Sequence, residues 1–167
     1  DGAVERLLVI RLVRFGHVIA DVEQGGTLVV ERTAEREFVR HFRAEAVRRL
    51  WCDLHPHAVI DCAAQSQTRL CQQDPTLAQR MNVKATALLA ELAAEIPFLF
   101  LSSDQVFDGS KGWYVEADPV NPLNVYGETK AEAERIVLQN PRHSVIRVAL
   151  NAGTSPTDDR SFVEDLR

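Results

Sequence analysis

The run Pro97-Phe98-Leu99-Phe100-Leu101-Ser102-Ser103 is apolar until it stops in two hydroxyls, with Asp104 next. A second run, Ala58-Val59-Ile60-Asp61-Cys62-Ala63-Ala64, is equally compact and ends in small residues. Strands of this kind are buried on both faces, as in a parallel sheet covered by helices. Between and around them lie segments with helical spacing. Asp74-Pro75 opens one, since proline is tolerated in a first turn, and Met81, Leu88, Leu89 and Leu92 carry its apolar stripe through residues 74–95. Further helices are predicted over residues 1–15, most of 32–54 and about 123–139, and shorter strands over 17–22, 27–30 and 144–150. The first of these helices rests on Val4, Leu7, Leu8, Leu12 and Phe15, with Gly16 ending it. The architecture expected is α/β, a mostly parallel sheet with helices on both faces.

The chemistry concentrates after the strand at 97–103. Asn121-Pro122-Leu123-Asn124-Val125-Tyr126-Gly127-Glu128-Thr129-Lys130 is a proline-set turn that opens a helix. Tyr126 and Lys130 are four residues apart, on one helical face and one turn from each other. An ammonium beside a phenol favours the phenolate and lowers its pKa from about 10. A tyrosine tuned in this way exchanges a proton with a carbonyl or alcohol. Ser103, at the carboxyl end of its strand, can hold the same oxygen. The three together suit reversible reduction of a ketone by hydride from a nicotinamide. A tyrosine and lysine at this spacing also occur on ordinary solvated helix faces. The strand-end hydroxyls and the Pro-Leu-Asn lead-in favour the chemical alternative. The connection over residues 104–121 is long for an idle loop, and Asp104 and Gln105 are its candidates to touch substrate hydroxyls.

Ser102-Ser103-Asp104-Gln105-Val106-Phe107-Asp108-Gly109 and Pro122-Leu123-Asn124-Val125-Tyr126-Gly127-Glu128-Thr129-Lys130 resemble the extended short-chain dehydrogenase/reductases. Within that superfamily they are most similar to the dTDP-4-dehydrorhamnose reductase family (RmlD-like, sugar-nucleotide-binding). Asp61-Cys62-Ala63-Ala64 and Met81-Asn82-Val83 match as well, and the similarity runs from about residue 3 to about residue 153. The resemblance implies a Rossmann-like, doubly wound fold with Ser103, Tyr126 and Lys130 as catalytic residues. It implies NAD or NADP as cofactor, with Ala63, Ala64, Asn82 and Lys130 on the cofactor side and Ser103, Asp104 and Gln105 on the substrate side. Asn82 is equally the pattern of a buried structural hydrogen bond, and Ala63 and Ala64 of plain helix–sheet packing. Sugar dehydratases usually carry an Asp-Glu pair after the hydroxyl residue, whereas Asp104 is followed by Gln105; family members more often have tyrosine there.

The far end of the cofactor site departs from the family. Counting back from Gly16, Gly2 falls on the second glycine of the dinucleotide fingerprint and Glu5 on the third, with the first strand expected upstream of Asp1. A glutamate at a helix start that should face phosphate is unfavourable. Glu23 falls where an acid bonds the adenosine ribose, and equally reads as a solvated glutamate beside Gly25-Gly26.

The chain has 167 residues and divides into a dinucleotide-binding domain over 1–153 and, over 154–167, the start of a further substrate-domain segment. A formal charge of −5 gives no electrostatic attraction for nucleic acid or an anionic membrane. No apolar run reaches the roughly 18 residues that span a bilayer. Cys52, Cys62 and Cys71 are odd in number and without CxxC spacing, so they read as reduced thiols of a cytoplasmic protein. The histidines show no metal-ligand spacing. The function expected is NAD(P)-dependent reduction of a nucleotide-linked 4-keto sugar. The alternatives are a non-catalytic, reductase-like binding or regulatory subunit, and a sugar-nucleotide epimerase or dehydratase. A nucleotide sugar is the partner expected, and a homodimer is left open.

Overall fold

The computed structural model describes residues 7–13, 20–23 and 27–33 as backbone, and residues 44–149. Among these, six strands form one sheet in the order β2-β3-β1-β4-β5-β6. They are β1 (Leu7–Val13), β2 (Ala20–Glu23), β3 (Thr27–Thr33), β4 (Ala58–Asp61), β5 (Phe98–Ser103) and β6 (His143–Val148). The helices are α1 (Ala44–Leu54), α2 (Thr68–Gln73), α3 (Pro75–Ala78), a π-helical segment (Gln79–Lys84), α4 (Ala85–Leu92) and α5 (Val125–Val137).

All neighbouring strands pair parallel except β2, which lies antiparallel along β3 at the edge. The mostly parallel α/β architecture expected from the two apolar runs is therefore the one observed. The carboxyl edge is set by register: Asp61 pairs with Phe100, and Ser103 with Val148. Phe98 and Phe100 of β5 lie in the core with Val59, Leu89, Ala133 and Val137, and Trp51 and Leu54 of α1 pack against them. α1 packs on α4 and α4 on α5, forming one helical layer.

Two expectations are corrected at the amino end. The sequence predicts a helix over 1–15 with the first strand upstream; instead Leu7–Val13 is β1, at the centre of the sheet between β3 and β4. Leu-Leu-Val-Ile is a short continuous apolar run, which periodicity alone does not separate from a buried helix. Its branched residues fit a parallel strand covered on both faces. Arg32 and Thr33, assigned to a helix, end β3, paired with Leu12 and Val13. The predicted strands at 17–22 and 27–30 correspond to β2 and β3. The short helix α2 was not anticipated. The helix expected over 74–95 is present but passes through the π segment, and Asp74 caps it by accepting from Leu77 N at 2.9 Å. The segment 154–167 lies outside the described residues.

Candidate functional site

The site is assembled where α5 meets the turn after β5. Asn124 caps α5 from extended backbone, its Oδ1 accepting from Gly127 N at 2.9 Å. The same side chain donates from Nδ2 to Gln105 Oε1 at 3.0 Å, which ties the helix start to the short 3₁₀ turn Asp104–Val106. Gly127 makes the approach close enough. A Cβ there would collide with the Gln105 carbonyl oxygen and lie 3.0 Å from Pro122 Cβ.

This docking sets Tyr126 opposite Ser103. The phenol is 8% exposed and packs with Cys71 and Ala78, with Ala64 alongside. Burial pushes its pKa above the usual tyrosine value; a side-chain hydrogen bond with Ser103 opposes the rise, and Cys71 and Asp104 add to it electrostatically. Ser103 Oγ also donates to Asp104 Oδ1 at 3.1 Å and accepts from Gln105 N at 3.2 Å.

Lys130 is placed one turn on but is held differently from expectation. Its Nζ donates to the Leu101 carbonyl at 2.6 Å and sits 3.8 Å from the centroid of the Phe100 ring. Burial lowers its pKa to about 8, against the opposing influence of Asp61, Glu134 and Cys62. The ammonium was expected to lower the phenol's pKa. The phenol's pKa is instead raised, because desolvation is the largest influence on it and Lys130 is turned to the backbone of β5.

Asn82 lies in the π segment and is fully buried. Its Oδ1 accepts from Gln65 N at 2.7 Å, and its Nδ2 donates to Gln65 O at 3.2 Å and to Thr129 Oγ1 at 2.9 Å. Thr129 in turn donates to Tyr126 O at 2.8 Å. Every polar atom of Asn82 is thus engaged with the chain itself, and it clamps the loop after β4 to α5. Of the two roles open from sequence, this placement is the structural one. Ala63 is buried at the carboxyl end of β4, where its N–H donates to Asp61 Oδ1 at 3.0 Å; Ala64 is half-buried against Tyr126.

One expected cofactor residue, Glu23, is not brought to this point. Glu23 ends β2, which runs antiparallel, so it pairs with Thr27 at the amino edge of the sheet, opposite Ser103 and Asp61. Gly2 lies outside the described residues. It precedes β1 in the chain, whereas a dinucleotide fingerprint follows its first strand. The sequence directly after β1 is Arg14-Phe15-Gly16.

A cavity of about 810 Å³ opens beyond the 3₁₀ turn, walled in part by Asp104, Gln105 and Asn124; Ser103, Tyr126 and Lys130 do not line it. Its outer wall is the connection after the 3₁₀ turn, organised by a residue without an assigned role in the sequence. Asp108 accepts from Tyr114 OH at 2.6 Å, Ser110 N at 2.8 Å and Asn121 Nδ2 at 2.9 Å, which hold its carboxyl well below the usual range. Tyr114 stacks on Phe107 with centroids 4.2 Å apart. Arg147 of β6 lies over the same ring and forms a forked pair with Glu134 of α5, the shortest contact 2.7 Å. The Val-Phe-Asp-Gly motif marked Asp108 in sequence, but its partners lie up to thirteen residues away and become visible only in the fold. Among the described residues no helix is long and apolar enough to cross a membrane.

Comparison with known proteins places the chain. Residues 17–165 match the family model of the RmlD substrate binding domain. Methionine adenosyltransferase 2 subunit beta of Rattus norvegicus is 41% identical over 106 residues, covering 62% of this chain and 32% of that protein. The chain thus spans about a third of the length of the curated relatives it matches. The crystal structure of a dTDP-4-dehydrorhamnose reductase from Clostridium acetobutylicum superposes with a TM-score of 0.73 at 26% identity, over 95% of this chain and 57% of that one. The dTDP-4-dehydrorhamnose reductase of Bacillus anthracis, in complex with NADP, superposes with a TM-score of 0.76 at 18% identity, over 99% of this chain and 60% of that one. By its strand order, its motifs and these matches, the chain belongs to the RmlD substrate binding domain family.

Proposed function

We propose that the carboxyl edge binds NAD(P) at its nicotinamide end and that the protein reduces a nucleotide-linked keto sugar. The observation that carries this reading is the placement of the buried Tyr126 phenol next to Ser103 at the end of β5, where Ser103 offsets part of the rise that burial imposes on the phenol's pKa. The described residues suit the nicotinamide end of such a cofactor. Ser102 Oγ is buried without a hydrogen-bond partner among the described residues, a cost that a polar ligand group removes. Ala64, only partly buried at the end of the loop from β4, is small enough to let a ribose approach. The cofactor would supply hydride. Ser103 would orient the ketone oxygen, and Tyr126, kept protonated by its raised pKa, would donate the proton to it. Lys130 would offer its ammonium to the nicotinamide ribose in exchange for the Leu101 carbonyl. Asp104 would meet sugar hydroxyls.

A second reading, a reductase-like subunit that binds dinucleotide without turnover, is favoured by two observations. Lys130 is engaged by backbone and not by the phenol, and the relative at 41% identity is named a subunit beta. Titration with NADPH and NADH, followed by nicotinamide fluorescence, tests the binding common to both. Consumption of NADPH with dTDP-4-keto-6-deoxy sugar, lost in Tyr126→Phe while binding is kept, supports the reductase. Saturable binding with no consumption supports the subunit, and absence of binding sinks both.

A further inference from the structure

We propose that Asp61 is a positioning residue for Lys130, a carboxylate buried at the carboxyl end of β4 that keeps the lysine an ammonium, ready to leave the Leu101 carbonyl for the cofactor ribose. Asp61 is 1% exposed and Lys130 2%. Register brings the two together. Asp61 pairs with Phe100 of β5, and paired residues of neighbouring parallel strands point to the same side of the sheet, about 4.8 Å apart. Phe100 lies on the side covered by α4 and α5, in one cluster with Leu89 and Ala133. Thr86 of α4 donates to Asp61 Oδ2 at 2.9 Å, which places the carboxyl group on that side as well. Lys130 reaches the same point from α5, its Nζ 3.8 Å from the centroid of the Phe100 ring. Carboxylate and ammonium thus adjoin one aromatic ring in a space closed to water.

The carboxylate is fixed for this role. Its Oδ1 accepts from Ala63 N at 3.0 Å and its Oδ2 from Thr86. Both donors are neutral, so they set its orientation and leave its charge standing. A buried charge is costly unless an opposite one lies near, and an ammonium set against a ring and one carbonyl has the same need. Burial works against the Lys130 charge, and three titratable groups work for it: Asp61 first, then Glu134 one turn on in α5, then Cys62 behind β4. Glu134 is committed to Arg147 of β6 by a forked pair, and Cys62 has the weakest influence of the three. Asp104 of the 3₁₀ turn and Cys71 of α2 act on Tyr126 instead. Lys84 of the π segment is exposed. Asp61 therefore supplies the standing charge that opposes desolvation of the ammonium. This role rests on the ribose contact proposed above for Lys130, and the two are separable by experiment.

The chain has three lysines, Lys84, Lys111 and Lys130. Carbon-13 labelling of lysine Cε therefore gives three NMR signals, of which Lys130→Met identifies one. Asp61→Asn keeps the side chain's shape and lets the Thr86 hydroxyl turn to accept. In it the Lys130 signal should titrate at a lower pH than in the parent, with the ammonium-to-amine ratio about tenfold or more lower at any one pH. Glu128→Gln, which removes an exposed acid from the same helix, should leave the midpoint in place. A second measurement needs no substitution: with aspartate labelled at its carboxyl carbon, the Asp61 signal of the parent should move with the Lys130 midpoint. NADPH affinity, read by nicotinamide fluorescence, should fall as pH rises through that midpoint, and fall at lower pH in Asp61→Asn. A Lys130 midpoint unmoved by Asp61→Asn, one moved as far by Glu128→Gln, or an Asp61 carboxyl signal flat across the parent's midpoint would overturn the proposal. A midpoint that moves in a protein that binds no NADPH would uphold the hold of Asp61 on Lys130 and sink the ribose contact alone.

Discussion

Replacing Gly127 by alanine tests whether the contact between α5 and the β5 turn builds the site. In an open helical position the change stabilises by up to about 1 kcal/mol, because alanine is the better helix former. Here the added methyl meets the Gln105 carbonyl oxygen and lies 3.1 Å from its carbon, atoms of the backbone that cannot rotate away. Overpacking costs about 1–3 kcal/mol, and a clash with backbone lies toward the upper end, so after the helix-propensity gain a net loss of about 1–2 kcal/mol is expected. With a urea slope near 2 kcal/mol/M, the unfolding midpoint should fall by about 0.5–1 M. Relief of the clash moves the first turn of α5 away from Gln105, and Tyr126 away from Ser103, so NADPH affinity or turnover should fall more than stability alone dictates. Gly112→Ala is the internal control. No heavy atom lies within 4 Å of its added methyl, and it should be neutral or mildly stabilising. A Gly127→Ala protein as stable as the parent, or more so, would refute the close-approach account of the site.

Lys130 and the Arg147–Glu134 pair give further tests. The Lys130 pKa falls from 10.5 to about 8 on folding, so between those values the unfolded chain holds a proton that the folded one has released. Stability from this group therefore rises with pH across that window. Its full extent is roughly 3 kcal/mol, and the difference between wild type and Lys130→Met in urea unfolding at pH 7 and pH 10 should shift by most of it; parallel curves would refute the assignment. Arg147→Met leaves the buried Glu134 carboxylate without its cation and should cost about 3 kcal/mol. Adding Glu134→Leu should recover most of that loss in the same unfolding assay.

How much could be read in advance divides along a physical line. Local chemistry was legible in the chain. The apolar run ending in Ser102-Ser103 marked β5 and its carboxyl end, the proline-set turn at Pro122 marked the start of α5 to within a few residues, and the four-residue spacing placed Tyr126 and Lys130 on one face. Each follows from contacts within a few residues. What lay beyond was decided by pairing and burial across the fold. Leu7–Val13 is a strand because β3 and β4 accept it on both sides, not because of its own periodicity. Glu23 lies at the far edge because β2 turns antiparallel. Lys130 reaches the Leu101 carbonyl, 29 residues away in sequence, and Asn82 reaches Thr129 across 47. Sequence determined which groups are available for chemistry; the tertiary structure decided their partners and charge states, because desolvation and long-range hydrogen bonds exist only once the sheet and its helices have closed around them.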